Sequence, residues 1–162
     1  MFATHHGGAN WMSAIITDAT KASGSSYSTA GAKAEAIEKT IMDSIAMQSI
    51  ITDLEHAGHG EHDETPAQKN AYWDSAAAKY FGTTARSYTI YARADKRGRN
   101  FGQMETGSVS GTEVSKVNKN ILAAFNSGPS EANMNTIIKN LKVIYTQATL
   151  RYAYLVLSLI HI

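Results

Sequence analysis

Residues Ala32–Ala57 read AKAEAIEKTIMDSIAMQSIITDLEHA, a run with no glycine or proline. Ile37, Ile41, Ile45, Gln48, Ile51 and Glu55 recur at three- and four-residue spacing, the period of one helix face. Gly58 and Gly60 stop the pattern. The run predicts one long helix, and that helix sets the fold class. With Ile37 as zero, Glu55 falls about five full turns later and returns to the same bearing. This counting aims Glu55 along the apolar stripe, while Glu35, Glu38 and Asp53 take the polar side. A carboxylate aimed into a core costs several kcal/mol unless it is paired or bound to metal. The alternative is that Glu55, one turn from the helix end, frays into water.

Downstream, Thr65, Pro66 and Gly82 punctuate a second helix over about Pro66–Phe81, with Trp73, Ala77, Tyr80 and Phe81 on its apolar side. Residues 83–112 carry no sustained period; SYTIYA is expected as loop or a helical turn. A third helix is expected over about Thr112–Asn126, on Val114, Val117, Ile121, Leu122 and Phe125. A fourth runs from near Ser130 through Tyr154, on Ile137, Ile138, Leu141, Ile144, Tyr145, Ala148 and Tyr152. Asn10–Ala22 reads as one short helix, followed by a serine-rich loop. The expected architecture is all-α: a bundle of about four main helices with a long irregular insertion between the second and third.

Composition agrees with a globular chain: 162 residues, 43% hydrophobic, 18% charged and only 2 prolines. Cysteine is absent, which removes disulfides, thiolate metal sites and cysteine nucleophiles. A net charge of +1 gives no overall field for nucleic acid or anionic membrane. The start, MFATHHGGANW, lacks the basic and apolar segments of a secretion signal. The last residues, LSLIHI, match the frame translation of a transposase sequencing adapter. Leu157–Ile162 are therefore expected to be a non-native tail, residues 32–156 the domain and residues 1–31 a flexible or short-helix segment.

Several side chains invite chemistry. EHAGHGEHDE (Glu55–Glu64) places His56, His59 and His62 three apart, which matches no metal-ligand spacing such as HExxH. A solvated loop is the simpler reading, with His56 also suited to a helix C-terminus. Asp74 sits at the margin of the second helix's apolar face and Tyr80 on it. Carboxylate and phenolate oxygens are hard ligands of the kind ferric iron favours; otherwise Tyr80 and Trp73 are core aromatics and Asp74 a surface charge. Arg86, Arg93, Lys96, Arg97 and Arg99 alternate with Tyr88, Tyr91 and Phe101. Such a run can stack single-stranded RNA, hold a small anion on guanidinium forks, or tie a loop to acidic helices. A near-neutral domain without an RNP motif ranks nucleic acid last. No GxSxG, P-loop or GxGxxG occurs, so no catalytic constellation is expected.

In order along the chain, AEAIEKTIMDSIAMQSIITDLEHA, YWDSAAAKYFG, SYTIYARADKRGRNFG, KVNKNILAAFNSG and IKNLKVIYTQATLRYAY resemble the low-iron-inducible periplasmic proteins of algae, an iron-assimilatory, phytotransferrin-like family. The similarity covers about Ala32–Tyr154. It implies a secreted, periplasmic or cell-surface protein that binds ferric iron for uptake, with carbonate as partner anion and membrane-associated uptake machinery as a possible partner. It places Glu35 and Glu55 in the family's acidic helix, Asp74 and Tyr80 in its tryptophan–aspartate motif, and Arg97 and Asn100 in its KRxxNFG motif. The expected metal set is Glu55, Asp74, Tyr80 and Glu35, with Arg97 and Asn100 for the anion and His59, His62 and Tyr88 secondary. The sequence departs from the family in lacking a secretion signal and in being short. The alternative is a helical protein-interaction module that binds no metal.

Overall fold

The computed structural model describes residues 10–59, 63–82, 88–107 and 112–160. The chain divides into two compact units, Met1–Gln48 and Ser49–Ile162. The division falls inside a helix, whereas the shift in composition placed a boundary at residue 31.

In the first unit, α1 (Trp11–Thr20) and α2 (Ala30–Lys39) are joined by the serine-rich loop. Asp18 organises that turn: it accepts from the Ser26 amide at 2.9 Å and pairs with Lys21 at 2.8 Å. Thr29 caps α2 by accepting from the Ala32 amide. The helix then widens into a π turn over Thr40–Ile45. Thr40, buried here, returns its hydroxyl to the Ala36 carbonyl at 2.7 Å.

The second unit begins within α3 (Ala46–Gly58) and continues through α4 (Pro66–Phe81), α5 (Ile90–Asn100), β1 (Met104–Thr106), β2 (Glu113–Ser115), α6 (Lys116–Asn126) and α7 (Glu131–Ile160). The expected all-α class holds broadly: the described residues are mostly helical, with one two-stranded antiparallel hairpin, β1–β2, that pairs Glu105 with Val114. A simple bundle of four helices does not describe it. The residues expected to form an irregular insertion, 83–112, hold α5 and β1, while β2 takes the first turn expected of the third helix, Val114 included. The helix α5 escapes periodicity because its buried face is Ile90, Ala94, Arg97 and Gly98. One large aliphatic, two small residues and an arginine make a faint stripe. Thr89 caps α5 from the Ala92 amide, and Arg97 and Arg99 sit in its last turn, where the helix dipole favours cations.

The ends of α4 follow the local chemistry. The Thr65 hydroxyl accepts from the Gln68 amide while the Gln68 side chain accepts from the Thr65 amide. Gly82 closes the helix with φ +67°, a conformation other residues avoid. The core of this unit joins Ile50, Leu54 and Ala57 of α3 to Trp73, Ala76 and Tyr80 of α4, Val117, Ile121 and Phe125 of α6, and Met134, Ile137, Leu141 and Ile144 of α7. Trp73 meets Phe125 edge-on at 5.2 Å and donates its indole N–H to the Phe125 carbonyl at 3.0 Å. Gly98 lets α5 press against β2, since a Cβ there would stand 2.6 Å from the Ser115 Cβ.

The inward aim of Glu55 is corrected. Within α3 the buried residues are Ile50, Asp53, Leu54 and Ala57, and Glu55 is exposed. Two physical causes combine. The π turn inserts about one residue and rotates the downstream part of the helix by about 100°. The reference residue Ile37 also lies in the other unit, and Ile41 and Ile45 of the supposed core stripe are themselves 45% and 42% exposed. Asp53, placed by that counting on the polar side, is instead buried and paired with Lys79 at 2.6 Å.

Candidate binding site in the helical unit

The functional side chains of the second unit fall into two groups. The first is a buried polar network. Tyr80 is fully buried and donates its hydroxyl to Asn118 Oδ1 at 2.5 Å. Asn118 Nδ2 donates to Asp95 Oδ1 at 2.7 Å and to the Tyr91 carbonyl at 2.9 Å. Asp95 Oδ1 also accepts from the Ser115 amide at 2.7 Å, and the Ser115 hydroxyl caps α6 from the Asn118 amide. One asparagine thus ties α4, α5 and the β2–α6 corner together. Burial pushes the Tyr80 phenol well above its ordinary value of 10, and the nearby Asp95 and Tyr91 push in the same direction. Tyr80 is a neutral hydrogen-bond donor committed to Asn118. That environment does not suit a phenolate ligand.

The second group centres on Arg97, on the buried face of α5 and only 9% exposed. It shares that buried face with Ile90, Ala94 and Gly98. The guanidinium donates through Nη1 to Asn100 Oδ1 at 3.2 Å and stands 5.8 Å from the centre of the Tyr152 ring. Among the described residues it has no carboxylate partner. A guanidinium in this state keeps donors and a full charge for an acceptor from outside. Asn100 is exposed and adds an amide at the rim.

The other candidates are scattered. Asp74 is exposed on α4 and Glu55 on α3. Glu35 belongs to the other unit, is exposed and pairs with Lys39 at 3.2 Å. Tyr88 is 75% exposed. The half-buried His59 offers its backbone carbonyl to Lys69 Nζ at 3.2 Å. His62 lies outside the described residues. Among the described site residues, Arg97 and Asn100 meet through their side chains, and Glu55 and His59 stand one helical turn apart, the Glu55 carbonyl accepting from the His59 amide at 3.0 Å. Among the described residues, no three carboxylate or imidazole side chains gather closely enough to hold a metal ion.

Two pairings were missed by sequence reading. His56 Nδ1 lies 2.5 Å from Glu64 Oε1, and its ring stacks on Tyr72 with centroids 4.8 Å apart. This joins the end of α3 to the entry of α4. Lys79 Nζ bridges Asp53 and Ser49, the latter at 2.8 Å. Neither pairing has a fixed spacing, so no sequence signal marks it. A cleft of about 290 Å³ also opens between the hairpin and α5 and α6, lined by Tyr91, Thr106, Gly107, Val114, Asn118, Lys119 and Leu122. Its polar side chains are largely engaged, Lys119 with Glu105 at 2.8 Å and Asn118 in the network. Among the described residues, no helix is long and apolar enough to cross a membrane. Comparison with protein-family models, with curated proteins and with solved structures finds no match to this chain.

Proposed function

We propose that the chain is a non-enzymatic binding module for ferric iron uptake at the cell surface or in the periplasm, and that its helical unit Ser49–Ile162 takes the accompanying small oxyanion on Arg97. The observation that carries this reading is the buried guanidinium with no carboxylate partner among the described residues. A buried charge left without a counter-charge costs several kcal/mol, which a bound carbonate or phosphate relieves. The motif resemblance supplies the cargo and the setting. Tyr80 leaves the ligand set, because its phenol is buried, neutral and bound to Asn118. Glu55 and Asp74 remain as exposed carboxylates on separate helices, and Glu35 lies in the other unit.

Calorimetric titration of the whole chain with bicarbonate, with and without ferric iron from a weak chelator, tests the reading. The expected result is anion binding strengthened by iron, lost at least about tenfold in Arg97→Leu and partly kept in Arg97→Lys. Any tyrosinate charge-transfer band should survive Tyr80→Phe. Unchanged binding in Arg97→Leu, or no binding by the native chain, rejects the proposal. The helical interaction module is the second reading, favoured by the Arg97–Tyr152 contact that links α5 to α7. It expects no heat from either ligand, and equal loss of stability in Arg97→Leu and Tyr152→Ala.

A further inference from the structure

The 30-residue helix α7 changes character along its length. Met134, Ile137, Leu141 and Ile144 bury its first half. Beyond them, Leu150, Tyr152, Tyr154, Leu155 and Leu157 are all exposed, Tyr154 by 64%. At about 100° per residue, Leu157, Leu150 and Tyr154 share one side, while Leu155 and Tyr152 lie about 140° and 200° round from Leu150. Tyr152 already lies against Arg97, whose guanidinium stands 5.8 Å from its ring centre, so the open apolar surface is Leu150, Tyr154 and Leu157 with Leu155 at its edge. The charges bear on what covers it. From Ala132 to the end of the chain there is no Asp or Glu, only Lys139, Lys142 and Arg151. The two lysines are exposed and Arg151 is half-buried. Tyrosines beside leucines, flanked by cations without carboxylates, are the chemistry of a helix at the face of an anionic bilayer.

We propose that the distal half of α7 docks the protein on an anionic lipid surface, lying in the headgroup region and not spanning it. The docking needs neither iron nor anion and is independent of the Arg97 reading. Flotation of the whole chain with phosphatidylcholine vesicles containing about 30% phosphatidylserine tests it. The expected result is co-flotation that weakens about tenfold or more on pure phosphatidylcholine and in Tyr154→Ser/Leu155→Ser. Both side chains of that variant are exposed, so its thermal melt should match the native one. Three outcomes overturn the proposal: no flotation on anionic vesicles, equal flotation by the double variant, or native self-association in sedimentation velocity that the double variant abolishes. The last would assign this surface to a second copy of the chain.

Discussion

Replacing Asn118 by alanine should cost the helical unit more than any other single polar substitution at its core. Asn118 is 1% exposed and uses both ends of its amide. Asn118→Ala removes an acceptor from the Tyr80 hydroxyl, a donor from the Asp95 carboxylate and a donor from the Tyr91 carbonyl. A neutral hydrogen bond contributes about 1 kcal/mol net and one to a charged group about 1.5–3 kcal/mol. The Tyr80 hydroxyl, with no exposed surface, is left without a partner, at about 1–3 kcal/mol. The terms overlap, so the expected loss is about 3–5 kcal/mol, a large part of a domain stability of about 5–15 kcal/mol. Two comparisons separate the network from generic core damage. Ser115→Ala removes the α6 cap and should cost about 1 kcal/mol. Tyr80→Phe leaves only the Asn118 oxygen unpaired and should cost about 1–2 kcal/mol. Urea melts followed by Trp73 fluorescence in a Trp11→Phe background report on this unit alone, because Trp11 and Trp73 belong to different units. With a slope of about 2 kcal/mol/M, the midpoint of Asn118→Ala should fall by about 1.5–2.5 M. If Asn118→Ala costs no more than Ser115→Ala, the amide is not the joint between α4, α5 and α6, and the reasoning fails.

The same network sets an alkaline limit. The folded-state value of Tyr80 lies above its unfolded value of 10, so its contribution is complete below pH 10 and is lost as pH rises from there toward the folded value. Stability measured from pH 9 upward should fall in the native protein and fall less in Tyr80→Phe; equal slopes would reject the assignment. Gly98→Ala should destabilise by about 1–3 kcal/mol through crowding, although alanine favours helix by about 1 kcal/mol. The new Cβ would stand 2.6 Å from the Ser115 Cβ and 2.9 Å from the Met104 sulfur, and a stabilised Gly98→Ala in a thermal melt would show that α5 and β2 do not press together. In the other unit, Asp18 is held down to about 2 by its hydrogen bonds to Lys21 and the Ser26 amide. A carboxyl NMR titration should give that midpoint, moving up toward 3.8 in Lys21→Ala.

What the sequence revealed depended on how local the governing physics was. The helix α4 was legible because Thr65, Pro66 and Gly82 each act within one turn of the chain. Arg97 and Asn100 were legible as a pair only through the KRxxNFG resemblance; no helix was expected over residues 90–100, so the i, i+3 contact they make on α5 was not foreseen. Tyr80 was ambiguous for a reason intrinsic to phenols. A tyrosine on an apolar face suits a metal ligand and a buried donor equally, and the deciding partner, Asn118, lies 38 residues away. The hairpin escaped because each strand has only three residues, too few to establish an alternation.

Glu55 shows where sequence periodicity stops being a reliable guide. Helical bearing accumulates error along the chain, and a single π turn adds about 100° at a stroke. Nothing in TIMDSI announces such a turn, since it contains no glycine or proline and its residues suit an ordinary helix. Counted instead from Ile50, inside the same uninterrupted helix, Glu55 falls about 140° away and Leu54 about 40°. That short count places Leu54 in the core and Glu55 in water, as observed. A carboxylate's aim is therefore best judged from apolar neighbours within about two turns, and a stripe assembled across a longer rod needs independent support before a binding site is hung on it.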